Sequence, residues 1–127
     1  MALILVIDDD HDYSTILKDL LELLNHEVLM ATTGLEALEY LITKKKPIDL
    51  ILIDENMPKI KGSILAQVIR KQLDPAPPYI FVTGEVRLPE EEGYHSKILN
   101  KPVSLEDLRD MVELCLDKTA LKSQDDK

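Results

Sequence analysis

An α/β domain built on a parallel sheet is the fold this sequence predicts, and three observations predict it. Aliphatic runs alternate five times with segments of helical period along the chain. Runs such as Leu3-Ile4-Leu5-Val6-Ile7 and Leu50-Ile51-Leu52-Ile53 lack polar alternation, as strands buried on both faces require. Asp8-Asp9, Asp54, Thr83 and Lys101 all fall at the ends of predicted strands. Right-handed crossovers gather the carboxyl ends of parallel strands on one edge, where ligands bind in open α/β sheets.

The first strand, Leu3 to Ile7, runs into Asp8-Asp9-Asp10. Asp10 or Asp12 can cap a helix through about Leu24, with Ile16, Leu17, Leu20, Leu21 and Leu24 on one face and Asn25 as its stop. Val28 to Ala31 is a second strand. Thr32 or Thr33 then caps a helix bearing Ala37, Leu38, Leu41 and Ile42, with Glu36 near its start. Lys44-Lys45-Lys46 complements that helix's dipole as a solvated last turn, and Pro47 stops it. The third strand, Leu50 to Ile53, ends abruptly in Asp54. Pro58 and Gly62 mark the loop that follows, Pro by fixing φ and Gly by tolerating positive φ.

Ile64, Leu65, Val68 and Ile69 line a third helix, closed by Pro75-Ala76-Pro77-Pro78. Tyr79 to Thr83 is a fourth strand, rich in β-formers and ended by Gly84. Between Glu85 and Ser96, Pro89 and Gly93 bracket three glutamates, so any helix there is short and polar. Ile98-Leu99 forms a brief fifth strand before Asn100-Lys101-Pro102. Ser104 with Asp107 resembles a capping box, and Leu105, Leu108, Met111, Val112 and Cys115 carry a final helix. The expected domain covers residues 1–117, and residues 118–127 are expected to form a polar, frayed tail.

At 127 residues the chain has the length of one domain. Its 24 acidic and 15 basic residues give a formal charge of -9, which argues against direct nucleic-acid or anionic-membrane binding and suits a divalent cation or a basic partner. Cys115 is the one cysteine, so no intrachain disulfide forms and a buried thiol in a reducing compartment is expected. The first strand starts within a few residues of Met1 with no signal-peptide pattern, and no apolar run nears the roughly 20 residues a bilayer span needs, so the expected location is cytoplasmic.

Three carboxylates on one edge repel unless a cation sits among them, and oxygen ligands of this kind suit Mg²⁺ with a phosphate partner. Taken singly, Asp8 to Asp10 could be helix caps, Thr83 a strand residue and Lys101 a surface cation. Taken together, a carboxylate flanked by Mg²⁺, a lysine and a hydroxyl is equipped to attack phosphorus. The chemistry read from these residues is phosphoryl transfer to Asp54.

Over residues 3 to about 117 the chain resembles the receiver domain of two-component response regulators. The motifs that carry the resemblance are Val6-Ile7-Asp8-Asp9-Asp10, Ala31-Thr32-Thr33-Gly34-Leu35-Glu36-Ala37-Leu38, Ile53-Asp54-Glu55-Asn56-Met57-Pro58, Val82-Thr83-Gly84 and Lys101-Pro102. It implies a flavodoxin-like doubly wound sheet of five parallel strands, order 2-1-3-4-5, with helices on both faces. It implies that Asp54 accepts a phosphoryl group from a histidine kinase or phosphotransfer protein. Asp9 would bind Mg²⁺ directly, Asp8 through water and Asn56 through its backbone carbonyl. Thr83 and Lys101 would answer the phosphoryl group, with Lys101-Pro102 cis. Asn56 and Glu85 would flank attacking water and tune dephosphorylation.

Two positions depart from the family pattern. Lys61-Gly62 stands where Asp-Gly is frequent, which implies a surface change of little chemical weight. Ile98 stands where many receivers carry Tyr or Phe, and this puts the coupling to an output face in question. The leading expectation is a phosphorylatable signalling switch, not an enzyme beyond its own phosphorylation and dephosphorylation, acting on an unidentified downstream protein. The alternatives are a receiver-like module that binds without switching, and a receiver from a hybrid histidine kinase or longer regulator. A flavin protein is disfavoured because Asp8-Asp9-Asp10 would repel its phosphate, and a phosphatase because the chain leaves little room for a cap domain.

Overall fold

The computed structural model describes residues 1–43, 47–73, 75–84 and 97–125. Its elements are β1 (Leu3–Ile7), α1 (His11–Leu23), β2 (Glu27–Ala31), α2 (Gly34–Thr43), β3 (Leu50–Ile53), α3 (Gly62–Gln72), β4 (Tyr79–Thr83), β5 (Lys97–Asn100) and α4 (Leu105–Asp125). The five strands form one parallel sheet in the order β2-β1-β3-β4-β5. Expectations for Lys44 to Lys46 and for Glu85 to Ser96 lie outside the described residues.

Strand alternation divides the core in two. Leu5, Ile7, Ile51, Ile53 and Phe81 face α2 and α3, where they meet Ala37, Leu41, Leu65, Ala66 and Ile69. Ile4, Val6, Leu50, Leu52, Ile80 and Val82 face α1 and α4, meeting Leu17, Leu21, Leu108, Val112 and Cys115. All four residues of β3 are buried, and each such aliphatic side chain contributes about 1.5–3 kcal/mol on leaving water. Burial on both faces is what lets a run of four aliphatics stand without polar interruption.

Local signals set the helix ends. Asp10 caps α1, its side chain accepting the Tyr13 N–H at 3.1 Å. Asn25 takes φ 69° just beyond that helix, a left-handed conformation Asn tolerates. Thr33 Oγ1 accepts the Glu36 N–H at 3.1 Å while Glu36 reaches back to the Thr32 N–H at 2.7 Å, which starts α2. Ser104 Oγ accepts the Asp107 N–H at 3.0 Å at the start of α4.

Five expectations are corrected, one of them Leu105, which belongs to the expected apolar stripe of the final helix and is exposed in its first turn. Ile16, Ile42 and Ile64, expected on buried helix faces, are exposed, because each adjoins an aliphatic neighbour (Leu17, Leu41, Leu65) that takes the buried position. One residue along a helix rotates about 100°, so two adjacent side chains cannot share one narrow face. The expected frayed tail is helical as far as Asp125, since Ala120, Leu121 and Lys122 are strong helix formers and a helix needs no apolar face to close its own hydrogen bonds.

Candidate functional site

The ladder delivers the polar residues to one edge. Past the last residue of β1, the Asp8 N–H donates to the Ala31 carbonyl at 3.0 Å. The Asp54 N–H donates to Ile7 at 2.9 Å and the Lys101 N–H to Thr83 at 3.0 Å. These bonds continue the sheet one residue beyond its strands, and so fix where the side chains of Asp8, Asp54 and Lys101 begin. The Lys101-Pro102 bond is cis, as the resemblance implied.

Asp8, Asp9 and Asp54 bring carboxylate oxygens within 4.8 Å of one another. Asp8 and Asp54 are buried, whereas Asp9 is exposed and opens the cluster to solvent. Lys101 Nζ lies 2.9 Å from Asp8 Oδ2 and 3.7 Å from Asp54 Oδ2. Asp8 Oδ1 also accepts the Asp10 N–H at 2.9 Å. Thr83 is fully buried and its hydroxyl donates to Asp54, as does the Asn56 N–H.

Burial, and then the neighbouring Asp8 charge, push the Asp54 carboxyl above its ordinary value, although Lys101, the Asn56 N–H and Thr83 all pull it down. Burial draws the Lys101 ammonium down, but its hydrogen bond and charge pairing with Asp8, with the Asp54 charge, outweigh this and its net shift is upward. One lysine therefore stays charged between two buried carboxylates and does not fully satisfy them. That imbalance, with an all-oxygen donor set, fits a hard divalent ion such as Mg²⁺.

The loop after β3 packs behind Asp54. Glu55 is buried, and its carboxylate accepts the Ser63 N–H at 2.6 Å and the Ser63 hydroxyl at 3.0 Å. Gly62 sits where a Cβ would lie 2.2 Å from the Asp54 carbonyl oxygen. Close approach requires this glycine, rather than the positive φ its loop position had implied. Lys61 Nζ donates to Asn56 Oδ1 at 3.1 Å, so a residue expected to carry little weight touches a proposed tuning position.

Sequence reasoning missed Glu55, Lys61 and Tyr13. The Tyr13 ring lies 4.5 Å from Lys101 Nζ, and its hydroxyl accepts the Val103 N–H at 3.0 Å. Of the positions it named, Asp8, Asp9, Asp54, Thr83 and Lys101 converge, and Asn56 adjoins them through its N–H. Glu85 lies outside the described residues. Ile98 sits on β5 opposite Phe81 and is 38% exposed.

The sequence model of the response regulator receiver domain matches residues 4–113. The chain belongs to that family. This receiver is 35% identical over 127 residues to the sensor histidine kinase RcsC of Escherichia coli, an alignment covering 97% of this chain and 13% of that kinase. The curated relatives it matches are much longer proteins, of which it spans between 11% and 33%. A receiver domain of Clostridium thermocellum superposes with a TM-score of 0.80 at 29% identity, covering 95% of this chain and 98% of that one. The response regulator TrrA of Thermotoga maritima, solved in complex with Mg²⁺-BeF, does so with 0.80 at 27% identity, covering 91% and 100%. The receiver family is a signalling family of two-component systems. No described helix of this receiver is long and apolar enough to cross a membrane.

Proposed function

We propose that Asp54 accepts a phosphoryl group from a phosphohistidine donor, a histidine kinase or phosphotransfer protein. An Asp54 oxygen forms the new bond to phosphorus as the bond to the donor nitrogen breaks, and that nitrogen keeps the electron pair. Asp9, Asp8, Asp54 and the Asn56 carbonyl would hold Mg²⁺, which when bound supplies positive charge against the carboxylates and the phosphoryl oxygens. Lys101 pairs with the new anion. Thr83 turns its hydroxyl from the Asp54 carboxylate to a phosphoryl oxygen. Asn56 and Glu85 tune the access of hydrolysing water, and the protein turns over no other substrate. Its downstream target is a protein reached in the cytoplasm.

The observation that carries this reading is the convergence of three carboxylates and one lysine, with Asp54 raised by burial and by Asp8. Beryllofluoride with Mg²⁺, or acetyl phosphate with Mg²⁺, is expected to shift amide resonances across the carboxyl edge of the sheet. Asp54→Asn should abolish the shift, and an equal response from that variant overturns the acceptor assignment. Ile98, aliphatic and partly exposed on β5, favours a second reading in which the module binds its partner without switching. Amide exchange over β5 and α4, unchanged by beryllofluoride that has bound, would select that reading.

A further inference from the structure

Among the described residues, Lys101 Nζ meets two carboxylates and one aromatic face. Asp8 and Asp54 are also the residues through which the site would hold a cation, so neither is a constant anchor for the ammonium. The third is the face of Tyr13, 4.5 Å from Nζ. An aromatic face attracts a cation through its quadrupole, carries no charge and offers no metal ligand. Its attraction for the ammonium does not depend on what the carboxylates are bound to.

The same side chain reaches further. Its hydroxyl accepts the Val103 N–H at 3.0 Å across 90 residues of sequence, two residues after Lys101 and just before α4. Tyr13 stands in the first turn of α1, whose cap is Asp10, next to the carboxylates Asp8 and Asp9. One ring thus touches the ammonium of Lys101, and its oxygen ties the main chain that carries Lys101. Leu or Met at this place would fill space but supply neither contact.

We propose that Tyr13 is a positioning residue for phosphoryl acceptance, its ring aiming the Lys101 ammonium at Asp54, while its hydroxyl anchors the Val103 main chain as a separate contact. This role rests on the reading of Asp54 as the phosphoryl acceptor. The two contacts separate by variant. Tyr13→Phe keeps the ring and loses the hydroxyl, whereas Tyr13→Leu and Tyr13→Met lose both.

The test measures two quantities on the full chain. In metal-free protein, Val103 N–H exchange should quicken by roughly fivefold or more in all three variants, as loss of one hydrogen bond allows. Beryllofluoride affinity in saturating Mg²⁺ should stay near wild type in Tyr13→Phe and weaken roughly three- to tenfold in Tyr13→Leu and Tyr13→Met, the range a partly buried cation–π contact gives. A merely structural tyrosine would make affinity follow thermal stability across the series, with Phe falling between. Wild-type affinity in both aliphatic variants, or equal weakening in Tyr13→Phe, overturns the inference while the acceptor reading stands. A wild-type protein that binds no beryllofluoride overturns the acceptor reading itself.

Discussion

At the amino ends of the strands, His26 Nδ1 accepts the Ala2 N–H at 3.1 Å and Asp49 Oδ2 accepts the Leu3 N–H at 2.8 Å. At the carboxyl ends, Asp8, Asp9 and Asp54 crowd their oxygens within 4.8 Å around one lysine. The amino edge uses its ionisable groups as main-chain caps that close the sheet. The carboxyl edge sets like charges against one another, and the energy it gives up there is the capacity to bind a cation and an anion. A parallel sheet lets one polypeptide do both, because its two edges are separated by the length of a strand and a continuous apolar core.

Gly62→Ala is the largest expected break in this contrast. Its Cβ would overlap the Asp54 main chain rather than a mobile side chain, so the cost should reach the top of the about 1–3 kcal/mol range for overpacking or exceed it. Urea denaturation measures the loss. Gly34→Ala, whose Cβ would meet side-chain atoms of Leu65 at 3.3 Å and Ile60 at 3.4 Å rather than main chain, should cost far less in the same assay.

Exchanging one carboxylate at each edge should give effects of opposite sign. Asp49→Ala strips the Leu3 N–H of its acceptor and should destabilise by about 1–3 kcal/mol. Asp54→Asn in metal-free buffer at pH 7 should raise Tm by a few degrees, because the ionised form is disfavoured in the fold. The pH dependences follow suit. Folded Asp54 holds its proton more tightly than the unfolded chain does, so its contribution to stability grows as pH falls from neutrality through its raised folded value. His26 is lowered, first by burial and then by the N-terminal amine, against the pull of Asp49 and Glu113, so its contribution is lost as pH falls below 6.5. Denaturation curves of Asp54→Asn and His26→Gln against wild type, run from neutral pH down to the ordinary carboxylate value of 3.8, separate the two. Curves that tilt the same way would remove the contrast.

The smallest expected effect lies at the rim of the charged edge. Lys61→Ala removes the Lys61 donor from the exposed Asn56 Oδ1 and should shorten the acyl phosphate lifetime about twofold without changing stability, since exposed polar contacts contribute little. A phosphorylation-decay time course reads it.

The inner strands β1, β3 and β4 were legible because burial on both faces leaves an unbroken aliphatic signature, the half-exposed edge strands β2 and β5 only as shorter apolar runs in the alternation, and the site was legible because parallel strands align their ends. Helix faces were legible only to within one residue. At Ile16-Leu17, Leu41-Ile42 and Ile64-Leu65 two equal aliphatics compete for one buried position, and tertiary packing decides between them. The contacts of Tyr13 to Val103 and of Lys101 to Asp8 join residues 90 and 93 positions apart, beyond the reach of any local pattern. Glu55 gave no signal either, since a glutamate after a strand reads as solvated until the start of α3 is seen folded over it.

The alternation that divides the core also divides control over the chemistry. Glu55 and Gly62, which set the main chain behind Asp54, belong to the side of the sheet covered by α2 and α3. Tyr13 and Val103, which set Lys101, pack on the side covered by α1 and α4. Sequence drift on one side can retune how the acceptor is presented while the other side keeps the cation in place. The backing of Asp54 and the seating of Lys101 are thus carried by opposite layers of the fold and meet only at the edge of the sheet.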